Sequence, residues 1–126
     1  MAVPPVRDAT AFLLAALSDR APAPTREFAD LPAEVSRVEV PTRHGPVRCT
    51  VFRAAAAGAR PPVHVNLHGG GFVIRPPRQD DPWCRYLAVH AGVVVVNPDY
   101  STAPRVRFPV PVEQAVDVVA WAARAA

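Results

Sequence analysis

Lysine is absent from this chain of 126 residues: all fourteen basic residues are arginine, and eleven carboxylates leave a formal charge of only +3. The arginines are scattered from Arg7 to Arg124 rather than gathered on one stretch. Binding to a phosphate backbone needs a clustered basic face, so no nucleic-acid partner is expected. Cysteine is scarce as well. Cys49 and Cys84 stand alone, without the Cys-x-x-Cys spacing of a redox pair or zinc knuckle, and read as buried, reduced thiols. No apolar run approaches the roughly 20 residues that cross a bilayer, Ala11–Leu17 being far too short, so no stable membrane insertion is expected. That run imitates a secretion signal, with Arg7 before it and Ala21-Pro22-Ala23 after it. Asp8, Pro4-Pro5 and Asp19-Arg20 break the pattern, which leaves cytoplasmic residence as the default. Glycine is rare too, and three of the six glycines fall in one triplet, Gly69-Gly70-Gly71.

What remains suits a folded domain. Half the residues are apolar, which argues against disorder, and the length fits one ordinary domain of about 100–150 residues. Many of the sixteen prolines, such as Pro22, Pro24, Pro61, Pro62, Pro76 and Pro77, fall in stretches that read as connections. Residues Asp8 to Arg20 suit an amphipathic helix with Phe12, Leu13, Ala16 and Leu17 on one face and Asp8 placed to cap its start. Ala21 to Pro32 reads as a loop. Apolar alternation over Val35–Val40 and Val47–Phe52, with turn chemistry at Pro41–Pro46 between them, predicts an antiparallel hairpin. Ala54–Ala59 reads as an exposed connection.

Beyond this tract the pattern changes. Val63–Leu67 and Val93–Val96 are short apolar runs, as expected of strands covered on both faces in a parallel sheet. Between them Asp81 and Pro82 suit a helix start, Cys84, Leu87, Ala88 and Ala91 recur at helical spacing, and Gly92 suits its end. Strand, helix and strand make a βαβ crossover, expected to be right-handed. From Phe108 to Ala126 a second sheet-covering helix is predicted, with Val112, Ala115, Val116, Val119 and Ala120 on its apolar stripe and Glu113, Gln114 and Asp117 opposite.

The run His68-Gly69-Gly70-Gly71-Phe72 directly follows the first of these β-rich runs. Without a Cβ, successive glycines can turn their N–H groups into one cavity and at one oxygen atom. A plain tight turn is the competing reading. Position favours the functional one, because ligands of open α/β sheets bind at the carboxyl ends of strands. The triplet follows neither Gly-x-Gly-x-x-Gly nor a phosphate loop with Lys-Ser/Thr, so nucleotide binding has little support. His68 reads as a loop-holding imidazole rather than a general base. His64 and His68 share strand parity, but without a third ligand they make a poor metal site, and no cofactor is implied. His44 and His90 read as turn and helix-surface residues. Ser101, in Asp99-Tyr100-Ser101-Thr102, lacks the flanking glycines of a strained nucleophile turn and reads as a turn or capping hydroxyl, as do Ser18 and Ser36 with less context. Asp99, at a strand end, suits the orientation of a loop.

These residues carry a resemblance. His68-Gly69-Gly70-Gly71-Phe72, the Asp81, Cys84-Arg85, Leu87-Ala88 spacing, the Val93–Val96 run leading to Asp99-Tyr100 and Ala103-Pro104, and Phe108-Pro109 with Glu113 and Trp121 are similar to the amino-terminal part of the hormone-sensitive-lipase-like α/β-hydrolases, over roughly residues 62 to 121. The resemblance implies a partial α/β-hydrolase fold: an amino-terminal hairpin, then a βαβ crossover of a mostly parallel sheet. Residues 1–34 would be a cap-like helix and loop, and residues 35–126 the incomplete hydrolase domain. It also implies a serine esterase or lipase acting on carboxylic esters as small-molecule substrates, with Gly70 and Gly71 giving oxyanion-hole N–H groups, supported by Gly69 and by His68 as organiser of the loop. This chain departs from the family at Ser101-Thr102, where Arg-Leu is usual, at Arg105, where Glu is usual, and at Gln114, where an acidic residue is common.

No Gly-x-Ser-x-Gly occurs in the 126 residues. In the family's chain order nucleophile, acid and base all follow the region matched here, so none of the triad is assigned to this segment, which is expected to be inactive alone. Two readings follow. One is the front part of a serine carboxylesterase; the other is a short, non-catalytic binding or interaction module derived from the same fold. Homo-oligomerisation stays open in both.

Overall fold

The two faces of one small sheet can be read from the alternation of residues along its longest strands. In the computed structural model, which describes residues 6–18, 30–75 and 78–125, β1 (Ala33–Val40) pairs antiparallel with β2 (Val47–Ala54). The hairpin runs slightly longer than Val35–Phe52, because Ala33 and Ala54 form a further pair. β2 then pairs antiparallel with β4 (Val94–Pro98), and β4 pairs parallel with β3 (Val63–Val65), for the order β1-β2-β4-β3. Side chains alternate across a strand. Register therefore puts Val38, Val40, Val47, Cys49, Val51, Val63, Val65 and Val96 on one face, and Phe52, Ala54 and Val95 on the other.

Each face takes one helix. α2 (Asp81–Ala91) joins β3 to β4 and buries Cys84 and Ala88 against Phe52 and Val95, with Leu87 partly buried beside them. Full burial of a side chain such as Phe52 contributes about 1.5–3 kcal/mol. The Arg85 guanidinium lies 5.8 Å from the Phe52 ring centre and reaches the oxygens of Leu31 and Ala33, which fastens the start of β1 to α2. Pro82 occupies the first turn of α2, where its missing N–H costs nothing, and Gly92 closes the helix at φ 66°, as its position in the sequence predicts. The start is different: Asp80, not Asp81, stands at the cap position, and its side chain caps no N–H.

α3 (Val110–Ala125) covers the opposite face, packing on β3 and β4. Its buried stripe is not the one expected. Pro111, Gln114, Val118 and Ala122 face inward, whereas Val112, Val116 and Val119 are exposed. Hydropathy alone put Gln114 outside. The fold buries it because the Gln114 Oε1 accepts a hydrogen bond from the Ser101 N–H at 2.8 Å, which removes most of the cost of burying an amide.

Two further expectations shift. The strand predicted at Val63–Leu67 is three residues long and lies at the edge of the described sheet, with His64 and Leu67 exposed; the strand covered on both faces is β4. α1 (Val6–Ser18) is helical, but Phe12, Leu13, Ala16 and Leu17 are exposed, since the helix meets the rest of the described chain near Ala15 and Ser18 instead. The predicted helix end at Asp19-Arg20, most of the loop after it, Pro76, Pro77 and Ala126 lie outside the described residues, as does the Asp8 side chain. No helix among the described residues is long and apolar enough to cross a membrane.

Candidate active site

The chain leaves β3 through Asn66, whose N–H still donates to Val96 O at 2.9 Å, and then turns away from the sheet into the glycine triplet. Gly70 has φ 130°, Gly71 φ 59° and Phe72 φ 60°. Only Gly70 is required by close approach as well as by φ: a Cβ there would sit 2.3 Å from Ile74 O. Ile74 and Val73 both donate their N–H groups to Gly70 O, at 2.9 and 3.1 Å, and close a tight turn. The Gly70 and Gly71 N–H groups donate to no acceptor among the described residues, and Gly71 is exposed. Such N–H groups can bind an oxygen that carries negative charge.

His68 is only 2% exposed. Its Nδ1 lies 2.8 Å from Gly69 O, a carbonyl that can only accept, so Nδ1 donates this hydrogen bond. Its Nε2 is buried and has no hydrogen-bond partner. On its flank the ring stacks on Tyr100, with centroids 4.3 Å apart and planes 11° apart, and the Tyr100 hydroxyl donates to His68 O at 2.6 Å.

The segment after β4 holds the glycine loop at further points. Ala103 N–H donates to Phe72 O at 2.7 Å, and the Arg75 guanidinium grips the Asp99 carboxylate through Nε, at 2.5 Å, and through a second nitrogen. Asp99 also receives Arg48 at 3.3 Å. Asp99 therefore orients the loop through guanidinium groups, chiefly that of Arg75, a residue that carried no signal in the sequence. Beneath them, Asn66 donates to Asp80 and to Asn97, and Asn97 donates to Asp81, so polar side chains tie both strand ends to the start of α2. Burial pushes the Asp81 carboxyl above its usual value. Beside the loop, Phe72, Ala103, Val106, Phe108, Pro111 and Val112 line an apolar hollow of about 120 Å³. A hollow of about 210 Å³ separates Ala15 of α1 from Arg75, Thr102 and Ala103.

The other candidates are dispersed. His64 is exposed at the sheet edge while His68 is buried, and His90 lies on the surface of α2. His44 sits in the β1–β2 turn, where it meets Glu113 of α3 at 2.5 Å, and Arg43 beside it binds Asp117. Ser101 contributes its N–H to Gln114, and the Ser18 hydroxyl meets Ala15 O and the Arg75 N–H. Cys49 and Cys84 are free and buried, and burial pushes both thiols up to about 12.

Residues 64–126 match the family described by the alpha/beta hydrolase fold. The chain belongs to the α/β-hydrolases. Among curated relatives of this α/β-hydrolase, an esterase of Gibberella moniliformis is 34% identical over 96 residues, covering 75% of the chain and 30% of the relative. An ethyl acetate hydrolase of Pseudomonas putida is 38% identical over 101 residues, 74% of the chain and 30% of the relative. The solved esterase of Pyrobaculum calidifontis superposes with a TM-score of 0.71 at 34% identity, over 94% of the chain and 36% of its own. The chain thus spans about a third of the length of these proteins, and it resembles the amino-terminal part of hormone-sensitive-lipase-like members of the family.

Proposed function

We propose that this α/β-hydrolase segment is the oxyanion-binding part of a serine carboxylesterase that cleaves short-acyl esters. The observation that carries the reading is the pair of N–H groups at Gly70 and Gly71, unclaimed by any acceptor among the described residues, at the end of a parallel strand. In the proposed reaction a serine supplied by residues outside the 126 attacks the ester carbonyl. A histidine takes the serine proton and passes it to the leaving alcohol, and a carboxylate orients that histidine. Gly70 and Gly71 hold the tetrahedral oxyanion, each such donor being worth roughly 100- to 1000-fold in rate. Gly69 and His68 fix the loop. His68 holds the loop through its Nδ1 contact with Gly69 O and moves no proton.

The hollow beside Phe72, about 120 Å³ and lined mainly by apolar side chains, suits the acyl part of a small ester. The ethyl acetate activity named for the Pseudomonas relative points to the same size class. Residues 1–34 serve as a cap-like helix and loop and residues 35–126 as part of the hydrolase domain; the location is cytoplasmic, and the chemistry needs no cofactor.

Two measurements test the proposal. Sequencing the DNA beyond the Ala126 codon is expected to reveal a continuing frame with Gly-x-Ser-x-Gly, then an acidic residue, then a histidine. A stop codon there would favour a non-catalytic module. Purified residues 1–126 are expected to give no saturable hydrolysis of p-nitrophenyl acetate, and turnover abolished by a serine-directed inhibitor would overturn the assignment of the nucleophile.

A further inference from the structure

Residues 99–103, which follow β4, hold the glycine loop along its length. Asp99 receives the Arg75 guanidinium, the Tyr100 hydroxyl donates to His68 O at 2.6 Å, the Thr102 hydroxyl reaches Val73 O at 3.5 Å, and the Ala103 N–H donates to Phe72 O at 2.7 Å. Ser101, in the middle of this strip, is bound to α3: its N–H donates to the Gln114 Oε1 at 2.8 Å. Gln114 is only 3% exposed. It shares the inward stripe of α3 with Val118, one turn on, and Val118 packs into the core with Val40, Val47, Cys49 and Val96. The accepting oxygen is thus carried by a helix seated in the core.

Consecutive Cα atoms lie about 3.8 Å apart, so fixing the Ser101 N–H also limits where Tyr100 and Thr102 can stand. Through them the restraint reaches His68 and Val73, on either side of the glycine triplet. We infer that Gln114 is a positioning residue for the Gly70 and Gly71 N–H groups, acting from α3 through Ser101 and the strip that holds the loop. It touches no reacting atom. Its meaning for catalysis rests on the oxyanion reading of those N–H groups, for which a misplacement of about 1 Å costs up to about 100-fold in rate.

The test is amide hydrogen exchange, resolved by residue in nitrogen-15 NMR spectra of the protein expressed from its own reading frame. Gln114→Met keeps roughly the volume of the side chain and removes the accepting oxygen. Exchange at Val73, Ile74 and Ala103, whose N–H groups close and hold the loop, is expected to quicken about five- to tenfold, with the Gly70 and Gly71 resonances shifted. The β1–β2 hairpin and the Gly92 resonance are expected to stay as they were. Gln114→Glu keeps an accepting oxygen and is expected to keep the loop's protection, even where its buried charge lowers the urea midpoint. In the unaltered protein the Ser101 amide is expected to exchange slowly, and free exchange there would overturn the proposal without any variant. So would loop exchange unchanged in Gln114→Met, exchange that quickens equally in the hairpin, or a Gln114→Glu protein that loses the loop as the methionine variant does. These readouts need no turnover, so a failure of that protein to hydrolyse p-nitrophenyl acetate would overturn the oxyanion reading and leave the tie between Gln114 and the loop standing.

Discussion

The Tyr100 hydroxyl donates to the main-chain oxygen of His68 at 2.6 Å while the two rings stack 4.3 Å apart, so one tyrosine holds both the backbone and the side chain of the residue that leads into the glycine triplet. Tyr100→Phe keeps the stack and removes the hydrogen bond, leaving a carbonyl at a buried residue without that donor. A loss of about 1–2 kcal/mol of stability is expected in urea denaturation, together with faster amide exchange at Gly69–Phe72. An unchanged midpoint and unchanged exchange would mean that stacking alone holds the loop.

Gly70 and Gly71 differ in why they must be glycine. At Gly70 an added Cβ meets Ile74 O at 2.3 Å, and φ is 130°, where side chains are scarcely tolerated. At Gly71 φ is 59° and the space is open. Gly71→Ala is therefore expected to cost about 1 kcal/mol, the usual left-handed penalty, and Gly70→Ala about 2–3 kcal/mol, because the turn closed by Val73 and Ile74 must open. Thermal or urea melts of the two variants decide the order; equal losses would contradict the close approach at Gly70.

Asp99 and Asp117 both bind arginine, but in different surroundings. The Arg75 and Asp99 side chains are 22% and 14% exposed, whereas Arg43, the partner of Asp117, is 53% exposed. Breaking a fully buried pair costs about 3–5 kcal/mol, and partial solvent access reduces that, so Asp99→Asn is expected to cost about 1–3 kcal/mol and to resist added salt. Arg43 holds the Asp117 carboxyl down at about 2, chiefly through side-chain hydrogen bonding. A lowered carboxylate contributes stability above its unfolded value, lost as pH falls toward 2. Here that contribution is small, and 1 M sodium chloride is expected to erase the effect of Arg43→Ala in melts at pH 7.

The contrast between these two pairs shows what could be read from sequence. The hairpin, the βαβ crossover and the Gly92 stop were legible, because period-2 alternation and left-handed caps are local consequences of residue type. The glycine triplet stood out for the same reason. Arg75–Asp99 and Arg43–Asp117 were not legible: they join residues 24 and 74 positions apart and depend on which loops the sheet order brings together. The face of α3 misled for a related reason. A glutamine reads as solvent-facing until the Ser101 N–H is placed against it, and the valines expected inside then turn outward. That hydrogen bond also shows that the loop after β4 is anchored despite the departures at Ser101-Thr102 and Gln114.

Alkaline pH tests the core directly. Cys49 and Cys84 are buried on opposite faces of the sheet, and desolvation pushes both thiols from 9.0 up to about 12. Tyr100 is raised as well, first by burial and then by the nearby charge of Asp80. In the unfolded chain these groups release protons at lower pH than in the fold, so the unfolded state binds fewer protons across that interval. Stability is then complete below about pH 9 and falls as pH rises toward 12. Urea midpoints measured from pH 7 to pH 11 are expected to be level up to about pH 8.5 and to decline above it. Cys49→Ala/Cys84→Ala is expected to flatten that decline while lowering the plateau, because it removes the titrating thiols and leaves cavities in the core. A decline of the same steepness without the thiols would trace alkaline unfolding to Tyr100, whose phenolate can no longer donate to His68.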